Sequence, residues 1–133
     1  MIKKLSVLIV DDEEVRHEAF AKNNANSLID SAFTVEEGLS LYDHNGYDLI
    51  GLGTFKNTLE FIKKVTTDLR SSSGEWNTET KFLIYGGDPT ETEKMLEIFK
   101  KTPIICTKIE FAWRIENIFL SIVDEEGLNI PIK

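Results

Sequence analysis

An apolar run that ends in four acidic residues stands near the start of this chain. Residues 5–10 are apolar apart from Ser6, and residues 11–14 read Asp-Asp-Glu-Glu. A short, almost continuous apolar run of this kind predicts a buried strand of a parallel sheet. Ligands of open parallel sheets bind at the carboxyl ends of the strands. The run therefore predicts an edge that carries the carboxylates of Asp11 and Asp12, which repel each other unless a cation lies beside them.

Strand-like and helix-like patterns alternate five times along the chain. The repeats predict an α/β fold in which a five-stranded parallel sheet carries helices on both faces. We expect one domain over residues 1–127 and a short C-terminal tail over residues 128–133. The strands are predicted at residues 2–10, 28–33, 47–52, 81–85 and 104–107, and the helices begin near residues 13, 34, 58, 89 and 111.

Local signals mark several helix ends. Thr34 and Glu37 have the spacing of a capping box, and Thr58 is predicted to cap the third helix. Pro89 suits the first position of the fourth helix. Gly127 stands where the fifth helix is predicted to end.

The chain is acidic, and this limits its partners. Its formal net charge is −8 and its isoelectric point is near 4.8. Binding to a nucleic-acid backbone needs Lys and Arg, so we expect no nucleic-acid partner. No apolar stretch is long enough to cross a membrane, and no signal peptide is evident. The lone Cys106 is predicted to be a small buried apolar residue, and a reducing cytoplasm is the expected location.

Three motifs resemble those of bacterial response-regulator receiver domains over residues 2–126. They are the acid pair Asp11 and Asp12, the segment Tyr47-Asp48-Leu49-Ile50, and Lys108 after the fifth strand. The resemblance implies the flavodoxin-like (βα)5 fold and a regulatory function. It also implies that the acid pair helps to hold Mg²⁺ and that Lys108 pairs with a phosphoryl group.

The resemblance fails at the residue that would accept phosphate. The acceptor position falls on Gly53, and a register shift of two residues would place Gly51 or Phe55 there. Aspartyl phosphorylation needs a carboxylate nucleophile, which glycine lacks. Gly86 falls where receivers carry a hydroxyl, and Ile109 replaces their usual proline. The chain is therefore predicted to be a pseudo-receiver that cannot be phosphorylated and has no catalytic residue.

The remnant of the receiver site is predicted to comprise Asp11, Asp12, Gly53, Gly86 and Lys108. In the simplest interpretation Lys108 compensates the charge of the acid pair, and the protein needs no cofactor. Two alternatives remain open. Asp11 and Asp12 retain weak Mg²⁺ binding, or a small anion lodges beside Lys108 in the space that the lost side chain vacates.

The segment Asp11-Asp12-Glu13 with Arg16 and His17 also resembles a receiver offshoot that is thought to process cyclic phosphates. That group carries an Asp-His-Asp run where this chain reads Gly53-Thr54-Phe55. Arg16 and His17 are therefore predicted to be plain surface residues, and His44 to be solvated. Two histidines placed this way support neither a zinc site nor a Ser-His-Asp triad.

The predicted fifth helix offers a partner surface. Trp113 and Leu120 fall nearly opposite its core-facing stripe, and Phe119 and Val123 flank that stripe. In receivers the face formed by helix four, strand five and helix five commonly mediates dimers and partner contacts, which implies a possible homodimer here. Alternatively, tail residues 128–133 fold back over the surface. Trp76, in the polar segment 71–80, either packs back or faces a partner.

Three functions are compatible with these observations. The first is a pseudo-receiver that acts as a protein-binding regulatory module. The second is a metal-dependent phosphoryl or phosphodiester enzyme that uses Asp11 and Asp12. The third is an acidic stand-alone inhibitor of a cellular protein, for example a viral one.

Overall fold

A five-stranded sheet with all neighbours parallel forms the centre of the protein, and its strand order is β2-β1-β3-β4-β5. The computed structural model describes residues 5–53, 57–70, 73–77, 79–86 and 89–109. The predicted fold class is confirmed. The strands are β1 (Ser6–Val10), β2 (Leu28–Ala32), β3 (Leu49–Gly53), β4 (Lys81–Tyr85) and β5 (Cys106–Lys108).

Four helices connect these strands within the described residues. The predicted fifth helix lies in residues 110–133, outside the described part of the chain. The interpretation of Trp113, Phe119, Leu120 and Val123 as a partner surface therefore stays a prediction. The helices are α1 (Glu14–Asn23), α2 (Val35–His44), α3 (Thr58–Asp68) and α4 (Pro89–Lys100).

The helix starts follow the sequence signals with one exception. Glu37 N–H donates to Thr34 Oγ1 at 3.1 Å, and Phe33 N–H donates to Glu37 Oε1 at 2.7 Å, so α2 has the predicted reciprocal cap. The prediction that Thr58 caps α3 is wrong by one residue. Asn57 is the cap and adopts a left-handed φ of 71°, while the Thr58 hydroxyl donates back to the Gly53 carbonyl at 3.0 Å.

Two apolar clusters cover the two faces of the sheet, because successive strand side chains point to opposite faces. The larger cluster joins β1, β3 and β4 to α2, α3 and α4, and the smaller one packs beneath Phe20 of α1. Every residue of β3 is buried. The carboxyl end of β3 therefore lies in the middle of the sheet edge, flanked by the ends of β1 and β4.

Candidate functional site

Asp11 lies directly after β1 and is completely buried. Its backbone N–H donates to the Ala32 carbonyl at 3.0 Å, which extends the pairing of β1 with β2 by one residue. Its own carbonyl accepts a hydrogen bond from His17 Nε2 at 2.8 Å. β1 thus places the first carboxylate of the acid pair at the carboxyl edge of the sheet, as predicted. The side chain is buried there rather than exposed to solvent.

Three donors surround the Asp11 carboxylate. Oδ1 accepts from the Glu13 backbone N–H at 2.9 Å and lies 3.1 Å from Arg16 Nη1. Oδ2 accepts from the Tyr85 hydroxyl at 2.7 Å. A buried carboxylate is tolerable when its charge is paired and its lone pairs are satisfied. These partners meet both conditions for Asp11.

The prediction that Lys108 compensates the acid pair is wrong for Asp11. Arg16, in the first turn of α1, forms the ion pair instead, and Lys108 is exposed at the end of β5. The arginine side chain is long enough to reach back over the start of the helix, and its side chain is one-third exposed (33%). The interpretation of Arg16 as a plain surface residue is therefore also wrong.

Gly53 ends β3 directly beside the buried carboxylate. A Cβ atom built on Gly53 would lie 2.8 Å from Asp11 Oδ2 and 2.9 Å from Asp11 Cγ. Real Cβ atoms do not approach other atoms this closely, so a side chain here requires Asp11 or β3 to move. The Asp11 carboxylate thus occupies the position of a Gly53 Cβ, and the hypothesis of a small anion beside Lys108 stays a prediction.

Tyr85 is the site residue that the sequence did not reveal. It ends β4, pairs with Gly53 in the sheet register, and is 1% exposed. Burial, followed by the adjacent Asp11 charge, raises the pKa of the Tyr85 hydroxyl well above its ordinary value of 10.0. Its ring packs edge-to-face on Phe20 at 5.1 Å. Gly53 and the Tyr85 hydroxyl thus both lie beside the Asp11 carboxylate.

His17 is buried, although the sequence predicted an exposed position. Because a backbone carbonyl only accepts, Nε2 must carry the hydrogen that is donated to Asp11. The ring lies 4.3 Å from the ring of Phe33, and Nδ1 is buried without a hydrogen-bond partner. His17 therefore helps to position the start of α1 against β1. His44, in contrast, is exposed, as predicted.

The remaining predicted site residues are not drawn into this network. Asp12, Gly86 and Lys108 are all exposed. Gly86 has a φ of 141°, a conformation that favours glycine for backbone reasons alone. Among the described residues, no group of three His, Cys, Asp or Glu side chains is placed to hold a metal ion.

Two other sequence predictions can be compared with the structure. Trp76 is half-buried against the larger cluster, and the Arg70 guanidinium lies 5.6 Å from the centre of its ring. Cys106 is only partly buried, whereas the sequence predicted a buried residue, and its burial raises the pKa of the thiol above the ordinary value.

We expect Tyr85→Phe to weaken the pH dependence of stability at alkaline pH. The folded protein holds the Tyr85 proton more tightly than the unfolded chain, whose tyrosines titrate near 10.0. This stabilisation is complete below pH 10 and falls as the pH rises above it. Urea unfolding between pH 8 and 11 measures the slope. Tyr85→Phe should also cost about 1–3 kcal/mol at pH 8, because Asp11 loses a buried donor.

Tyr47→Phe is the matched control for that experiment. Its hydroxyl donates to Asp30 at 2.8 Å, far from Asp11, and burial raises its pKa as well. The alkaline loss of stability is assigned here to the Tyr85 hydroxyl. That assignment would be contradicted if Tyr85→Phe left the loss unchanged while Tyr47→Phe reduced it.

Comparison with known proteins identifies the fold. The receiver domain of an HD domain-containing protein from Pseudomonas fluorescens Pf-5 superposes with a TM-score of 0.67 at 14% identity, over 94% of each chain. HP1043, an orphan response regulator of H. pylori, superposes with a TM-score of 0.64 at 19% sequence identity, over 93% of this chain and 97% of that one. A CheY-like receiver domain from Methanospirillum hungatei JF-1 superposes with a TM-score of 0.66 at 15% sequence identity, over the same shares of the two chains.

The chain therefore has the fold of response-regulator receiver domains, and the resemblance seen in the sequence is confirmed at this level. No family model matches the sequence, and no curated protein matches it. Within the described residues, none of the helices has the length and apolar character needed to cross a membrane.

Proposed function

We propose that this chain is a receiver-like regulatory module that works through protein–protein contacts and does not accept a phosphoryl group. The observation that carries the proposal is the position of the Asp11 carboxylate, 2.8 Å from where a Cβ of residue 53 would stand. A nucleophile is missing at the receiver acceptor position, and the place its side chain would take is filled.

The acid pair is also a poor site for Mg²⁺. Both Asp11 oxygens already accept hydrogen bonds, from Arg16, Tyr85 and the Glu13 backbone. Gly53 offers no side-chain oxygen, and a hard cation prefers several oxygen ligands. An arginine beside the carboxylate further opposes a cation. The residues present therefore do not fit the metal that the fold family implies, and we propose that the module needs no cofactor.

The same contacts favour a single conformation of the sheet edge. The Tyr85–Asp11 hydrogen bond ties the end of β4 to the end of β1, and the Arg16–Asp11 pair ties α1 to both. A switch requires an input that stabilises one of two states over the other. Without a phosphoryl input at position 53, we propose that the module is constitutive, and that it is not an enzyme.

We propose that the face around α4 and β5 contributes to partner contacts or to a homodimer, together with the predicted fifth helix. A cavity of about 390 Å³ opens there. Its lining combines four apolar side chains with two lysines, and an apolar centre with a polar rim is the usual arrangement of a protein interface. Its described lining residues are Leu96, Phe99, Lys100, Ile104, Cys106 and Lys108.

The absence of phosphorylation is directly measurable. We expect no mass gain after incubation with acetyl phosphate and Mg²⁺, and no amide shift changes with beryllofluoride and Mg²⁺. A receiver domain with an intact acceptor serves as the positive control. A covalent phosphoryl adduct on any aspartate would overturn the proposal, and Mg²⁺-dependent hydrolysis of phosphate esters that is lost in Asp12→Asn would replace it with the enzyme hypothesis.

A further inference from the structure

The charge of the chain is concentrated in its first half. Residues 1–53, which run to the end of β3, contain ten acidic residues and four basic ones, Lys3, Lys4, Arg16 and Lys22, for a formal charge of −6. Residues 54–133 contain 13 acidic and 11 basic residues, for a formal charge of −2. Most of the formal charge therefore belongs to the part of the chain that includes α1, β2 and α2.

Most of these carboxylates are available to a partner. Arg16 is already paired with the buried Asp11. No other ion pair among the described residues involves the acidic side chains of α1, β2 or α2. Exposed carboxylates of this region include those of Asp12, Glu13, Glu14, Glu18, Glu36 and Asp43.

Exposed apolar side chains occur in the same region. The large hydrophobic residues that stand out as exposed in the described structure are Val15 (65%), Leu28 (57%) and Phe33 (39%). All three belong to α1, β2 or the residue that follows β2. Apolar residues surrounded by acidic ones are typical of a protein contact. The apolar side chains are buried against the partner, and the acidic side chains favour a partner of opposite charge.

The strand β2 also presents an open edge. Among the described residues it pairs only with β1 and ends the strand order on that side. Leu28 N–H donates to the Leu5 carbonyl, and the Ala32 carbonyl accepts from Asp11 N–H, so the even-numbered residues of β2 bond to β1. In a parallel pair the intervening residues then direct their N–H and C=O groups outward. These residues are Ile29 and Ser31.

We infer that the open edge of β2 binds an extended, Lys- or Arg-rich segment of a partner protein, which adds a sixth strand to the sheet. Exposed strand edges bind extended peptides through main-chain hydrogen bonds, with flanking side chains giving specificity. Here the flanking side chains are carboxylates on α1 and α2, so the complementary segment is basic. This inference rests on the proposed function as a protein-binding module and names the chemistry of its partner.

A second copy of the chain is a poor occupant of this edge. Pairing β2 with β2 would bring together two regions that each carry a formal charge of −6, and like charges placed opposite each other disfavour association. The edge is also distinct from the α4 and β5 face. β2 and β5 end opposite sides of the sheet, about 19 Å apart at four strand spacings.

A displayed library of random ten-residue peptides, selected on the full chain, tests the inference without knowledge of the partner. We expect the enriched peptides to carry net positive charge and β-branched residues. Binding should weaken as salt rises, because exposed charge pairs are screened. Amide shifts on binding should be largest at Ile29 and Ser31.

Ser31→Pro is the variant that addresses the strand edge. Proline removes the outward N–H of Ser31 and leaves the pairing with β1 intact, which is the one way that sheets accept proline. We expect affinity for an enriched peptide to fall about fivefold, the value of one main-chain hydrogen bond. Ser31→Ala, which keeps the N–H at an exposed position, should bind like the parent.

Two charge reversals test the carboxylates that flank the β2 edge, and their result does not depend on whether Ser31→Pro folds. Glu18→Lys and Glu36→Lys together should lower affinity about tenfold, through loss of attraction and new repulsion. Glu93→Lys on α4 changes the net charge at an exposed position on the other half of the fold and should have little effect.

Selection of neutral or acidic peptides, absence of any enriched peptide, or equal losses for Glu93→Lys and the Glu18 and Glu36 variants would overturn the inference. So would unchanged binding to a folded Ser31→Pro protein. None of these outcomes bears on the proposal that the chain is not phosphorylated, because the acetyl phosphate experiment tests that proposal separately.

Discussion

Gly53→Asp is expected to destabilise the protein without restoring phosphorylation. Its Cβ would stand 2.8 Å from Asp11 Oδ2, so Asp11 must leave its partners or β3 must shift. The change also places a second carboxylate beside a buried one, where two negative charges repel. We expect a loss of about 3–4 kcal/mol in the free energy of unfolding, from overpacking and an incompletely paired charge. Urea unfolding measures the loss, and mass spectrometry after acetyl phosphate tests for an adduct.

Gly46→Asp is the matched control, because a Cβ at that position meets no atom within 4 Å. We expect it to change stability by less than about 0.5 kcal/mol, as is usual for exposed positions. A Gly53→Asp protein that is as stable as this control would show that Asp11 is not fixed in the place assigned to it. A stable variant that also gains a phosphoryl group would show that only the nucleophile was missing.

Arg16→Gln is expected to have the second largest effect, because it leaves the buried Asp11 carboxylate without a counter-charge. Breaking a buried pair typically costs about 3–5 kcal/mol, and the partly exposed arginine reduces this to about 2–3 kcal/mol. Urea unfolding at pH 7 measures the loss.

Two further variants separate the ion pair from general effects of charge. Lys22→Gln removes an exposed charge from the same helix and should be nearly neutral. In a double-mutant cycle, Asp11→Asn should recover part of the loss caused by Arg16→Gln, since neither charge remains. Additive losses in that cycle would mean that Arg16 acts on stability by some route other than Asp11.

Much of the fold follows from local patterns. The strand at residues 81–85 and the helix start at Pro89 were predicted to the residue, because apolar runs and proline constrain the backbone directly. Thr58 was misassigned as a cap because it is already the first helical residue of α3, while Asn57 takes the left-handed turn before the helix and the Thr58 hydroxyl donates to the Gly53 carbonyl. Such a choice depends on the end of β3, which helix signals do not describe.

The site was predicted less completely than the fold. The sequence placed Asp11 and Gly53 at one sheet edge, since both directly end or follow a strand. It assigned the counter-charge to Lys108 because receivers use a lysine there, whereas Arg16 of α1 forms the pair. Tyr85 was missed because its role depends on the register that sets it opposite Gly53. Contacts across a sheet arise from pairing, which no local pattern specifies.

The contact between Asp11 and Gly53 also has a historical consequence. If an ancestor of this chain carried a phosphate acceptor at position 53, single substitutions do not lead back to it. If the acid returns to position 53 first, its Cβ comes too close to Asp11. If Asp11 is displaced first, its charge loses the ion pair with Arg16. Under that condition either order passes through a less stable intermediate, and an acid would return to position 53 only through several coordinated substitutions.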